Sequence, residues 1–75
     1  MVKFDYSKLR GKVAEKLNTN KAFADSIGIS SPALSARFKG DTPFSQKEIA
    51  KAIDVLDLTP AEAMECFFTP EVQEG

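Results

Sequence analysis

Apolar residues recur along this chain at intervals of three and four, the period of a helix face, and capping residues, glycines and prolines mark the breaks between runs. In YSKLRGKVAEKL, Leu9, Val13 and Leu17 fall four apart and form one stripe. Asp5 or Ser7 is placed to cap that helix, and Gly11 lowers its propensity by about 1 kcal/mol relative to alanine. Phe23 and Ile27 share the face of a second helix, with Thr19 as N-cap and Gly28 just past the end, where left-handed backbone costs glycine nothing. Ser30 caps a third helix, with Pro32 in its first turn, where a missing amide is harmless. Ile29 and Leu34 are spaced as a hydrophobic staple; Leu34 and Phe38 point inward, and the helix ends near Gly40. Ser45 and Glu48 form a capping box, Phe44 and Ile49 its staple, and Ile49, Ile53 and Leu56 continue the buried stripe. Thr59, Pro60 and Glu62 open a fifth, short helix, whose Met64, Phe67 and Phe68 are expected to close the core. Pro70 prevents simple continuation, and the tail from about 69 to 75 is expected to be extended or frayed. Val2 to Phe4 has extended character, but no segment alternates convincingly as a strand. The pattern predicts an all-α fold: one domain over 1–75, built from about five helices.

Residues 19–40, TNKAFADSIGISSPALSARFKG, place special residues at the offsets of a helix-turn-helix. Ala24 is small where two helices cross closely, Gly28 follows four residues later, Leu34 six after that, and Phe38 one helical turn beyond. A plain α-hairpin is the bland alternative, and an alanine–glycine pair alone would not exclude it. Ala24, Gly28, Ile29, Ser30, Leu34 and Phe38 agreeing at once favours the helix-turn-helix. That motif presents its second helix to a DNA major groove, so transcriptional regulation is the leading expectation.

Composition narrows the classes. Seventy-five residues with 43% hydrophobic content can bury one core but no separate deep substrate cavity. The single cysteine, Cys66, excludes an internal disulfide and fits a reducing compartment. There is no apolar run for a membrane span, and MVKFDYSKLRGK is too polar for a signal peptide, so a cytoplasmic location is expected. The chain has no histidine, no phosphate-binding glycine loop and no metal-ligand cluster, and Cys66 has no histidine partner. An enzyme, a cofactor, a metal and a small-molecule substrate are therefore not expected. Charge is balanced overall, at −1, but uneven along the chain: all ten basic residues precede residue 52, while the six acids after it have no basic neighbour in that stretch. A basic N-terminal part suits a polyanion; an acidic C-terminal part suits a face turned from DNA or a basic partner.

The segments MVKFDYSKLRGKVAEK, FADSIGIS, LSARFKG, PFSQKEIAKAI and FFTPEVQ resemble small Cro-like regulators of temperate phages of Gram-positive bacteria, within the lambda-repressor-like class. The resemblance spans almost the whole chain. It implies a place in the lysis–lysogeny switch, either as a Cro protein that binds operator DNA or as a modulator of repression, an antirepressor that binds the phage repressor itself. Cro-like proteins commonly work as homodimers; nothing in this sequence fixes a dimer surface.

For the DNA-binding reading, helical geometry turns Pro32 and Ala36 away from Leu34 and Phe38. Ser31, Pro32, Ser35 and Ala36 then approach base edges, and Arg37 reaches a guanine or a phosphate. Asn20 and Lys21 approach the backbone, with Ser30 and Lys39 as further phosphate donors; for Asn20, Ser30 and Ser31 the resemblance implies the same roles. The helix carries no Asn or Gln for adenine, and Arg37 is its only arginine. That poverty of readers keeps the antirepressor alternative open. There, a small-residue helix and an acidic C-terminal part with Glu62 and Glu65 dock on a basic repressor face, with Phe67 and Phe68 as candidate anchors. The competing expectation for the two phenylalanines is that they plug the core.

Overall fold

A computed structural model of the chain describes residues 4–70. Its helices are α1 (Ser7–Lys16), α2 (Asn20–Ile27), α3 (Ser31–Lys39), α4 (Gln46–Leu56) and α5 (Pro60–Phe67), and the described residues contain no strand.

Four of these helices start where a side chain satisfies an orphan amide. Thr19 accepts from the Ala22 amide at 3.1 Å and Ser30 from the Ala33 amide at 3.2 Å. Ser45 with Glu48, and Thr59 with Glu62, make reciprocal capping boxes. α1 differs: Tyr6 occupies its cap position without side-chain capping, and the Asp5 carboxylate, one residue upstream, accepts from the Ser7 amide at 2.8 Å. The same contact, first through the Ser7 side chain and then through its amide, lowers the Asp5 pKa. α2 and α3 both end on left-handed glycines, Gly28 at φ 78° and Gly40 at φ 86°.

α2 packs against α3 and α4, and α1 against α5, α2 and α4. Leu9 and Val13 of α1, Phe23, Ala24 and Ile27 of α2, Leu34 of α3 and Leu56 of α4 are all buried. Leu17, Phe38, Ile49 and Ile53 pack on that core from its edge. Ala24 is fully buried, as a small residue at a close crossing must be. An aromatic cluster fills one end: Phe44 lies 5.3 Å from Tyr6 and 5.2 Å from Phe67, both edge to face. There the two ends of the described chain meet. Phe4 and Pro70 form an isolated antiparallel bridge, and the Asp5 amide donates to the Thr69 carbonyl at 2.7 Å. The extended character expected of Val2 to Phe4 is thus met at Phe4, while Val2, Lys3 and the tail from Glu71 onward lie outside the described residues.

One core expectation needs correcting. Phe67 is buried, but Met64 is 61% exposed and Phe68 45% exposed. α5 carries apolar residues on several sides and can bury only one of them; Ala63, Cys66 and Phe67 occupy that side. Met64 and Phe68, four apart, are left on its outer shoulder. Among the described residues, no helix is long and apolar enough to cross a membrane.

Candidate nucleic-acid interface

The α2–turn–α3 unit is set by its sequence punctuation. Gly28 stops α2, the Ile29 amide donates back to the Ala24 carbonyl at 3.0 Å, and Ser30 starts α3 two residues later. The ammonium of Lys51, from α4, lies 3.6 Å from where a Cβ on Gly28 would stand. It supplies positive charge at the C-terminal end of a helix that has no basic residue in its own last turn. The sequence reading did not single out Lys51; only the packing of α4 on α2 brings it there.

α3 buries Leu34 and leaves Ser31, Pro32 and Ser35 exposed, with Ala36 half-buried beside them. This is the small-residue face expected of the reading helix. Ser30 is exposed; its Oγ accepts from the Ala33 amide, which leaves its hydroxyl proton to donate elsewhere. Lys39 is exposed at the last turn. Asn20 and Lys21 open α2 on the surface, and Lys21 pairs with Asp25 at 3.3 Å across one exposed turn. Pairs of that kind are weak and readily exchanged for another anion.

Arg37 departs from its expected place. Its Nε donates to Glu48 Oε1 at 2.6 Å, its Nη2 to Glu48 Oε2 at 3.0 Å, and its Nη1 to the Ala33 carbonyl at 3.0 Å. The two side chains are only 15% and 13% exposed. A guanidinium held by both oxygens of one carboxylate and by a backbone carbonyl is turned inward and committed, so Arg37 is not presented as a base or phosphate contact. The Arg37 guanidinium, followed by the Ser45 amide, also holds the Glu48 carboxyl below its ordinary pKa against the opposing effect of burial. The sequence showed Glu48 only as a capping-box residue; its pairing with Arg37, eleven positions away, depends on how α3 and α4 are brought together.

The acidic C-terminal part also changes meaning once folded. Lys12 pairs with Glu62 at 2.7 Å, and Lys8 pairs with Glu65. These two antiparallel rungs cross the α1–α5 seam, so part of the basic and acidic halves of the sequence neutralise each other in space. Glu62 is drawn down to about 2, first by Lys12 and then by the Thr59 amide. Of the two candidate aromatic anchors, Phe67 is a core residue, whereas Phe68 is exposed and stacks edge to face on Phe4 at 5.9 Å. Phe4, Met64 and Phe68 are the large hydrophobic residues exposed among those described. Phe4 and Phe68 also line a shallow apolar groove with Pro43, Phe44 and Ile49. Cys66 is buried, and burial raises its thiol pKa. Among the described residues, no acidic or cysteine side chains gather as a metal site.

A family model described as "Protein of unknown function (DUF739)" matches residues 2–70. No curated protein matches the chain.

Proposed function

The chain belongs to the DUF739 family, whose description assigns no activity, and from its own geometry we propose that it is a phage-type transcriptional regulator that binds operator DNA in the Cro manner. The observation that carries this reading is the α2–turn–α3 unit: a left-handed Gly28, a Ser30 cap, one buried anchor at Leu34, and an exposed face of Ser31, Pro32 and Ser35. A helix so capped and so bare on one side suits close approach to a major groove. Ser31 and Ser35 supply hydroxyls for base edges or phosphates, and Pro32 and Ala36 supply apolar contact for thymine methyls. Asn20, Lys21, Ser30 and Lys39 serve as backbone contacts. Arg37 is left out of this set because Glu48 and Ala33 hold it. The role is non-catalytic, and its setting in a lysis–lysogeny switch rests on the resemblance of the segments quoted above.

Half-sites one helical turn apart, about 34 Å, require two copies. The described body measures 36 × 26 × 21 Å, a size compatible with two copies side by side on one face of the duplex.

The exposed Phe4, Met64 and Phe68 favour a second reading, an antirepressor that binds the phage repressor. In that reading Phe68 and Met64 form the contact; Glu65, whose pair with Lys8 is exposed, is free to exchange it for a basic partner, whereas Glu62 is shared between Lys12 and the Thr59 amide.

Titration of the pure protein into labelled DNA from its own switch region separates the two, at low and near-physiological salt, with and without the cognate repressor. The Cro reading expects saturable binding by the protein alone that survives scrambled competitor. No binding alone, together with loss of the repressor–DNA complex when both proteins are present, would replace it with the antirepressor reading.

A further inference from the structure

α3 is the least anchored helix of the fold. Leu34 is its one buried residue, and its close backbone packing is with α2. A helix held by one buried knob, with Phe38 resting only at the edge of the core against Tyr6 and Phe44, has freedom to roll, and rolling would move Ser31 and Ser35 relative to anything they touch. The Arg37–Glu48 pair opposes that motion. Arg37 lies in the last turn of α3 and Glu48 in the first turn of α4. The guanidinium engages both carboxylate oxygens and also its own helix at Ala33. Glu48 is in turn fixed by the Ser45 amide, which donates to Oε1 at 3.2 Å, while the Glu48 amide donates to Ser45 Oγ at 3.2 Å. Each bond removes a rotation: the fork sets the plane of the guanidinium, and the capping box sets the carboxylate that receives it.

We propose that Arg37 and Glu48 are positioning residues that fix the orientation of α3 for recognition, without themselves touching the bound partner. The proposal rests on the operator-binding reading above, and its test keeps the two separable.

Glu48→Gln gives opposite signs under the competing accounts. If Glu48 only lay near DNA, removing its negative charge would tighten binding. As a clamp, its loss leaves Arg37 without a charged partner, and operator affinity falls about ten- to a hundredfold. Because no phosphate contact is removed, the slope of log affinity against log salt stays as in the wild type; loss of a direct phosphate contact would reduce it by about one. Arg37→Lys keeps the charge but loses the fork, so it also weakens binding, by less than Glu48→Gln. It serves in place of Glu48→Gln should that variant not fold.

Amide hydrogen exchange is followed on the same variants. The clamp expects amides of α3 to exchange about tenfold faster or more while those of α1 and α5 keep their wild-type rates. Unchanged or tighter DNA binding, a salt slope reduced by one, or uniform acceleration across all five helices would each overturn the proposal. If the wild-type protein binds no DNA, the operator reading fails by itself. Exchange then decides the clamp: acceleration confined to α3 supports it, and any other pattern overturns it.

Discussion

α5 lies on α1 with Ala63, Cys66 and Phe67 buried beneath it, and two Lys–Glu rungs cross the same seam. α3 buries Leu34 alone and is tied to α4 by Arg37 and Glu48. The number of ion pairs favours α5, but their surroundings reverse the ranking. Lys8 and Glu65 are more than half exposed and Lys12 and Glu62 about a third, so water and salt screen both rungs and the gain is small. Arg37 and Glu48 are largely shielded and bound through two oxygens, so their attraction is screened far less and either partner left alone would be costly. The seam between α1 and α5 is held by apolar burial, with charge as trim. The seam at α3 has less apolar surface, Leu34 with Phe38 at the core's edge, and is supplemented by a polar tie. A helix with one face open cannot also wrap itself in core, and a shielded pair fixes it at small cost in area.

The sharpest way to break this contrast is Leu34→Ala. Removing the one buried side chain of α3 should cost about 2–5 kcal/mol, read as a lower denaturation midpoint in urea. A wild-type midpoint would mean that α3 is anchored by something other than Leu34, and the comparison with α5 would lose its basis.

Gly28→Ala tests the turn rather than the core and should cost less, roughly 1–2 kcal/mol. The backbone there has φ 78°, which disfavours a Cβ, while the added atom would meet only Lys51 Nζ at an ordinary contact distance of 3.6 Å. The cost is therefore conformational, with no clash to relieve. Loss of cooperative unfolding in this variant would point to a steric fault that the geometry does not contain.

Much of the fold was written locally. Thr19, Ser30, Ser45 and Thr59 each act within three residues of themselves, so their caps were legible from short spacings. Gly28 and Gly40 were legible for the same reason, because a left-handed stop is a property of one residue. Misreadings arose where two distant segments decide the outcome. Arg37 has the chemistry of a DNA reader, and its spacing gave no sign that Glu48 would hold its guanidinium inward. Glu62 and Glu65 belonged to an acidic block until α5 folded back on Lys12 and Lys8. Met64 and Phe68 are as apolar as Phe67, and periodicity alone could not choose which shoulder of so short a helix faces inward. The exposed small residues of α3 were legible as a face, because Leu34 fixes the helix rotation; what that face meets is not encoded in its own spacing.

The smallest expected effect is also the one that separates the two kinds of pairing. Glu62→Gln keeps a side chain that can complete the capping box with Thr59 but removes the charge facing Lys12. Near neutral pH it should lower the melting midpoint slightly, less than Gly28→Ala does. Since the Glu62 pKa is lowered from 4.5 to about 2, its contribution is fully present above 4.5, declines as pH falls, and is gone below about 2. The difference between wild type and variant should follow that course in thermal melts. It should also close in about 1 M salt, where the screening length is about 3 Å. The Glu48 pKa is lowered too, so acid also weakens its pair with Arg37, but salt should leave that shielded pair largely intact. If Glu62→Gln still differed from wild type in high salt, Glu62 would be acting through its cap and not through Lys12. The Lys12–Glu62 rung would then add nothing to the α1–α5 seam, leaving Arg37–Glu48 as the shielded pair with structural weight.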